Sequence, residues 1–203
     1  IHERIRVAGQ PVADEELVAA FGRVESARDS IFLTYFEFVT LAAFVIFQHH
    51  QLDLWILEIG LGGRLDAVNV IDPDVSIITC IGLDHQAYLG TTEEAIAREK
   101  AGVMRAGVTT FSAAINVRET LDDMVDLQGG SIRWLDEVLK DTTLVLSNRI
   151  INLTRMQLPK TSVALACLAM EELGYYITRE CLIGLEQAQM PGRMSRYQIG
   201  DQT

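Results

Sequence analysis

A glycine-rich loop that directly follows an apolar run constrains the fold of this chain more than any other stretch. The run covers residues 54–59, and the loop is Gly60-Leu-Gly-Gly63. A short, continuous apolar run before such a loop is typical of a strand buried on both faces of a parallel sheet. Ligands in open α/β sheets bind beyond the carboxyl ends of the strands. Glu58, the one charge in the run, is therefore the first candidate ligand, and the alternative is that its carboxylate only caps the following turn.

A second apolar strand is predicted at residues 75–81, and the polar sequence Leu83-Asp-His85 follows it. If the two strands are parallel, Glu58 and His85 lie side by side at one edge of the sheet, because the intervening residues are enough for a crossover connection. A histidine in this position is otherwise typical of a hydrogen-bonded loop residue.

Lys100 stands out in the helix that begins at Thr91-Thr-Glu-Glu94. The apolar stripe of this helix is predicted to consist of Ile96, Val103 and Met104, and the spacing places Lys100 on the same stripe. A buried ammonium group is costly unless it is paired. The alternative is that the side chain extends along its aliphatic stem to reach water.

Upstream, Thr34 and Glu37 have the spacing of a capping box, which predicts a largely buried helix ending at His49-His50. Tyr35 and Phe36 at the helix start fit core packing, or alternatively the wall of a pocket for a flat aromatic ligand. Adjacent helical residues do not share a face. The two histidines are therefore predicted to interact with the negative end of the helix dipole and not to share a metal ion.

Helices and short strands account for the rest of the chain. Further helices are predicted at residues 14–26, 117–127, 162–173 and 178–189, and short strands at residues 1–9, 108–112, 132–135, 143–146 and 150–153. Together with the two apolar strands, this pattern predicts an α/β fold with a mostly parallel sheet flanked by helices.

Composition excludes several classes of partner. The formal charge of −11 argues against a nucleic-acid or anionic-membrane surface, since such surfaces need clustered lysine and arginine. The longest apolar stretch, residues 38–47, is too short to cross a bilayer, which takes about 20 residues. Cys80, Cys167 and Cys181 lie in apolar surroundings, which predicts reduced, buried thiols in a cytoplasmic protein.

Five motifs occur in an order that resembles the central ATPase domain of the folylpolyglutamate synthase / dihydrofolate synthase family, relatives of the Mur ligases. The similarity covers nearly the whole chain and is strongest from Phe32 to Arg105. The motifs are Leu33-Thr-Tyr-Phe-Glu37, Glu58-Ile-Gly-Leu-Gly-Gly-Arg-Leu-Asp66-Ala-Val-Asn69, Leu83-Asp-His85, Arg98-Glu-Lys100-Ala-Gly102 and Met190-Pro-Gly-Arg193.

The resemblance implies an ATP-dependent ligase that joins L-glutamate to dihydropteroate or to a folate. In that family ATP phosphorylates the acceptor carboxylate, and the amine of glutamate then attacks the acyl phosphate. The partners expected on this basis are small molecules, with no nucleic acid and no membrane, and the protein is expected to be a cytoplasmic monomer.

The resemblance also implies roles for individual residues. Glu58 and His85 would bind magnesium, and Lys100 would carry a carbamate that holds a second magnesium ion, which makes His85 and Lys100 the catalytic candidates. Arg193 would meet an ATP phosphate, for which a multi-donor guanidinium is suited. The pterin-bearing substrate would be contacted by Thr34, Tyr35, Phe36, Glu37, Leu65, Asp66 and Ala67.

Departures from the family pattern shape the expected domain organisation. The sequence G-x-x-x-x-G-K-[ST] does not occur in these residues, and Lys160 stands where the family usually has an asparagine near the adenine. We therefore expect residues 1–196 to be an incomplete central domain without its N-terminal phosphate-loop unit. Residues 197–203 would begin a missing C-terminal domain, and this chain alone would be inactive.

Two other functions are open to a chain with these motifs. One is a noncatalytic remnant that keeps the fold and binds a pterin or a protein partner. The other is a Mur-type ligase for a peptidoglycan precursor, which the pattern Thr34-Tyr-Phe-Glu37 makes less favourable.

Overall fold

The computed structural model describes residues 1–188 and divides the chain into two compact units. The first unit comprises residues 1–61 and 65–71, and the second comprises residues 62–64 together with the chain from Asp72 onward. Arg193 and the predicted domain boundary after residue 196 lie outside the described residues.

Two packed helices form most of the first unit. Its elements are strands β1 (Arg6–Val7) and β2 (Gln10–Pro11), helices α1 (Asp14–Arg28) and α2 (Tyr35–His50), and a 3-10 turn at Ala67–Val70. The two helices bury one apolar face each, and the packed residues include Leu17, Ala20, Val24, Val39, Ala42, Ile46 and Phe47. The predicted helices at these positions are confirmed. His50 lies at the C-terminal end of α2, as predicted, and it also contacts α1. Its Nε2 lies 2.6 Å from Oε1 of Glu16.

The predicted strand at residues 54–59 is not formed. None of these residues belongs to a strand, and they have no strand partner within residues 1–188. Trp55 and Leu57 pack against the core of the first unit, whereas Ile56 is 86% exposed. The continuous apolar sequence predicted that both faces of residues 54–59 are buried. Among the described residues, only the face with Trp55 and Leu57 is covered.

The second unit contains the remaining elements in chain order. They are β3 (Val75–Ile78), α3 (Gln86–Leu89), α4 (Glu93–Lys100), β4 (Thr109–Ser112), α5 (Arg118–Gln128), β5 (Ser131–Trp134), α6 (Leu135–Val138), β6 (Leu139–Lys140), β7 (Thr143–Val145), β8 (Ile150–Asn152), α7 (Lys160–Glu172) and α8 (Arg179–Gln187). Two 3-10 turns, Ala101–Val103 and Ile115–Val117, follow α4 and β4.

A parallel three-stranded sheet in the order β3-β4-β5 organises this unit, which confirms the predicted α/β class. Ile78 lies opposite Ser112, which lies opposite Trp134. The face that carries Ile78 and Trp134 packs against α4 and α5, while Phe111 points to the other face and packs against α7. Successive side chains point to opposite faces of the sheet, and helices cover both faces, as is usual for parallel sheets.

The predicted end of the strand at residues 75–81 and the predicted burial of two cysteines are wrong. Strand β3 ends at Ile78 and not at Ile81. Cys167 is buried on α7, but Cys80 and Cys181 are exposed, because Cys80 follows the early end of β3 and Cys181 lies in the first turn of α8. Strands β6, β7 and β8 form a separate antiparallel sheet, which the sequence pattern did not distinguish from the parallel one.

Candidate functional site

The capping box at the start of α2 is formed as predicted. The Glu37 carboxylate accepts hydrogen bonds from the amide and the hydroxyl of Thr34, both at 2.7 Å, and the Glu37 amide donates to Thr34 Oγ1 at 3.3 Å. These bonds hold the pKa of Glu37 below its usual value, because the Thr34 hydroxyl and then its amide stabilise the charged carboxylate. The box leaves Tyr35 61% exposed and Phe36 half-buried.

Asp66 holds the glycine-rich turn of the first unit. Its Oδ2 accepts from the amides of Gly60 and Leu61, both at 3.0 Å, and its Oδ1 accepts from the amide of Val68 at 2.9 Å. The ring of Phe36 also reaches this turn, since a Cβ built on Gly60 would lie 3.1 Å from Phe36 Cζ. The structure therefore brings together the two predicted substrate-binding segments, Thr34–Glu37 and Leu65–Ala67.

Glu58 is exposed at the end of the irregular segment of the first unit. Within the described part of the chain its carboxylate makes no hydrogen bond or ion pair. The amides of the turn that follows it are held by Asp66 and not by Glu58. The alternative role for Glu58, a cap on that turn, is thus performed by another carboxylate.

His85 occupies an unusual backbone position in the second unit. Its φ of 49° lies in the left-handed region, where histidine is more frequent than most residues, and it precedes α3. Its amide donates to Asp84 Oδ1 at 2.8 Å, and its Nε2 lies 3.7 Å from Asp84 Oδ2. The imidazole is exposed, with a carboxylate beside it.

Lys100 is the last residue of α4 and is half-buried. Thr92 caps the start of the helix, since its hydroxyl accepts from the Ala95 amide at 3.2 Å, and Ile96 is fully buried. The predicted helical stripe stops earlier than expected, since a 3-10 turn replaces the helix after Lys100. Met104 is still buried, so the apolar residue keeps its place in the core although the helix has ended.

Sequence patterns missed two contacts that shape these sites. Asp66 was predicted only as a substrate contact, although an aspartate before a short turn is itself a signal for a backbone cap. The contact between Gly62–Arg64 and the end of α4 has no local signal, because the two segments are about 35 residues apart in sequence. Neither contact follows from periodicity.

Within residues 1–188, no group of three or more histidine, cysteine, aspartate or glutamate side chains is placed to hold a metal ion. No helix in the same range has the length and apolar character needed to cross a membrane.

Comparison with known sequences identifies close relatives. The dihydrofolate synthase/folylpolyglutamate synthase of Escherichia coli (strain K12) is 38% identical over 200 residues, which are 94% of this chain and 47% of the relative. The protein of the same description from Haemophilus influenzae is 35% identical over 200 residues, or 95% of this chain and 46% of the relative. The chain thus spans about half the length of these curated relatives. No family model matches the sequence.

Solved structures agree with the sequence comparison. Escherichia coli FolC in complex with DHPP and ADP superposes with a TM-score of 0.89 at 35% identity, covering 96% of this chain and 49% of that one. A bifunctional folylpolyglutamate synthase/dihydrofolate synthase with Mn, AMPPNP and L-glutamate bound gives a TM-score of 0.88 at 34% identity, covering 97% and 50%. These proteins give no support to a noncatalytic remnant or a peptidoglycan ligase. The chain belongs to the dihydrofolate synthase/folylpolyglutamate synthase family.

Proposed function

We propose that the protein carrying this chain is an ATP-dependent ligase that adds L-glutamate to dihydropteroate or to a folate. The observation that carries the proposal is the match of nearly the whole chain, in sequence and in fold, to bifunctional synthases of that description. Structures of such synthases contain AMPPNP with L-glutamate, or ADP with DHPP. ATP, L-glutamate and a pterin-bearing acid are accordingly the substrates proposed here.

The proposed reaction has two steps. The acceptor carboxylate attacks the γ-phosphorus of ATP, which forms an acyl phosphate and releases ADP. The amine of glutamate then attacks the acyl carbon, the bond to phosphate breaks, and an amide forms as the amine loses a proton. Phosphoryl transfer depends mainly on positioning and on neutralising charge, so the protein must bring three substrates together.

Magnesium is the metal implied by the family, and the chemistry of the donors fits it in part. Magnesium prefers oxygen ligands, which the free carboxylate of Glu58 and a carbamate on Lys100 would supply. His85 offers a nitrogen, which suits transition metals better. We propose that Glu58 and His85 hold one ion and carbamylated Lys100 a second. Bound magnesium would neutralise charge on the transferring phosphoryl group.

The pterin site is proposed at Thr34–Glu37 and Leu65–Ala67. Thr34 and Glu37 are bonded to each other, and Asp66 is bonded to the amides of the neighbouring turn, so the exposed Tyr35 and Leu65 are the side chains left to cover a flat ring. Stacking of a flat ring on Tyr35 is favourable, and Leu65 would add apolar contact. This division of roles predicts that specificity for the ring comes from apolar contact.

The family resemblance also suggests a role for Arg193, a domain boundary, a location and the kinds of partner. Arg193 is proposed to meet an ATP phosphate, and residues 1–196 and 197–203 are proposed to belong to the central and C-terminal domains. The protein is proposed to be a cytoplasmic monomer that binds no nucleic acid and no membrane, in keeping with its acidic charge of −11.

Lys100 gives the sharpest test of the site. In the whole protein, Lys100→Ala is expected to abolish glutamate ligation, and a short-chain carboxylate added to the assay is expected to restore part of it. Lys100→Arg is expected to stay inactive, because a guanidinium keeps its charge and forms no carbamate. Equal activity of the wild type and Lys100→Arg would rule out the carbamate and leave Lys100 as a surface residue.

A further inference from the structure

The main chain at Lys100 is contacted directly by the glycine-rich loop. The amide of Arg64 donates to the carbonyl oxygen of Glu99 at 2.9 Å. This carbonyl is one of the last in α4, where carbonyls lack the regular helical partner, and the amide of Ala101 also donates to it. Arg64 therefore supplies a hydrogen bond at the turn that carries Lys100.

Glycines on both segments make the contact possible. A Cβ built on Gly63 would lie 2.9 Å from the carbonyl oxygens of Glu99 and Lys100 and 3.2 Å from Lys100 Cα. A Cβ built on Gly102 would lie 2.4 Å from Arg64 Cα. Atoms at these separations overlap, so a side chain at either position would push the two backbones apart.

Charged side chains also bond to the segments on either side of Lys100. The Arg64 guanidinium donates from Nη2 to Glu99 Oε1 at 3.0 Å. On the other side of Lys100, Arg105 Nη1 donates to the Gly102 carbonyl at 3.0 Å, and Arg105 Nε donates to Asp72 Oδ1 at 2.5 Å. The residues before and after Lys100 are thus tied to neighbouring elements of the second unit.

The ammonium group of Lys100, in contrast, makes no hydrogen bond or ion pair within residues 1–188. The polar contacts around Lys100 therefore fix the position of its main chain, from which the side chain starts. We propose that Gly63, Arg64 and Gly102 form a clamp that positions Lys100 for its role at the metal. The inference rests on the proposed function and assigns these three residues as positioning residues.

The test uses the whole protein that carries this chain. The variant is Gly63→Ala, and the matched control is Gly184→Ala, where a Cβ on helix α8 would meet nothing within 4 Å. We expect Gly63→Ala to lower kcat about 10- to 100-fold, with KM for ATP changed less than about twofold, because a small displacement of a reacting group costs this much. Gly184→Ala is expected to leave both values unchanged.

Carbamylation of Lys100 provides a readout that does not depend on turnover. With ¹³C-labelled bicarbonate, the wild type is expected to show a carbamate carbon signal by NMR that is absent from Lys100→Ala. Gly63→Ala is expected to weaken this signal at a temperature where the variant is still folded. An unchanged signal together with an unchanged kcat would overturn the clamp.

Hydrogen exchange tests the clamp in the wild type even if Gly63→Ala does not fold. The Arg64 amide is expected to exchange at least about 100-fold more slowly than an unstructured amide, because it is bonded to Glu99. Fast exchange would overturn the clamp. Full activity of Lys100→Ala would overturn both the clamp and the proposed role of Lys100, whereas inactive Lys100→Ala with normal Gly63→Ala would overturn the clamp alone.

Discussion

At the scale of single residues, two nearby carboxylates of the first unit have different surroundings. Asp66 accepts three backbone hydrogen bonds, while Glu58 makes none among the described residues. A carboxylate that satisfies several amides stabilises a turn. A carboxylate without such bonds contributes little to folding and is free to bind a ligand. Substitution of Asp66 should therefore lower the stability of the protein, whereas substitution of Glu58 should leave its stability nearly unchanged.

Substitution of Asp66 is expected to destabilise the protein. Asp66→Ala leaves the amides of Gly60, Leu61 and Val68 without their acceptor, which should cost about 1–2 kcal/mol in the free energy of unfolding. Asp66→Asn keeps one acceptor oxygen and should lose less. Urea denaturation of the whole protein measures both, and a loss for Asp66→Ala below about 0.3 kcal/mol would contradict the role assigned to its carboxylate.

Substitution of the proposed metal ligands is expected to affect turnover far more than stability. Glu58→Gln keeps the shape of an exposed side chain, and His85→Asn suits the left-handed backbone of that position. Each should change the free energy of unfolding by less than about 0.5 kcal/mol while lowering kcat at least about 100-fold. If either variant mainly lowers the melting temperature, that residue has a structural role instead.

At the scale of elements, helices were predicted better than strands for a physical reason. The capping box of Thr34 and Glu37 and the N-cap at Thr178 are local signals, and both helices begin where these signals place them. A strand exists only when another strand pairs with it, and this partner is not encoded locally. Residues 54–59 illustrate the difference, since their apolar sequence suits a strand but the described residues provide no partner.

The capping box also predicts a pH dependence of α2. The pKa of Glu37 is lowered in the folded state by Thr34, so its charge contributes stability above the ordinary glutamate pKa, and the contribution is lost as pH falls through the lower folded value. Glu37→Gln keeps the box without the titrating group. The melting temperature of the wild type should exceed that of Glu37→Gln at about pH 6, and the difference should shrink as pH falls below the ordinary glutamate pKa of about 4.3.

A difference between wild type and Glu37→Gln that stays constant from about pH 6 to pH 3 would show that the charge of Glu37 does not stabilise the helix. A matched control is Glu119→Gln in α5, whose carboxylate lies in the first turn of its helix without a capping partner. This variant removes a first-turn carboxylate without removing a capping hydrogen bond, so it separates the effect of the box from that of net charge.

At the scale of the whole molecule, much of the fold was predictable and the assembly of the site was not. Alternation of short strands with periodic helices predicted the parallel sheet β3-β4-β5 and its covering helices. Individual site residues were found through motifs. Their fixed positions, however, depend on contacts between segments distant in sequence, such as Arg64 with Glu99. Such contacts produce no periodic pattern in the sequence. The contact of the glycine-rich loop with the main chain around Lys100 was therefore not predicted.

The stoichiometry of the reaction tests the proposed ligase. Purified whole protein is incubated with ATP, radiolabelled L-glutamate and dihydropteroate, and product and ADP are measured together. We predict one ADP for each glutamate incorporated, and no ADP above background when the pterin acid is omitted, because the acceptor carboxylate is itself phosphorylated. ADP release without the pterin acid, or no incorporation of glutamate into dihydropteroate or a folate, would contradict the proposed ligase.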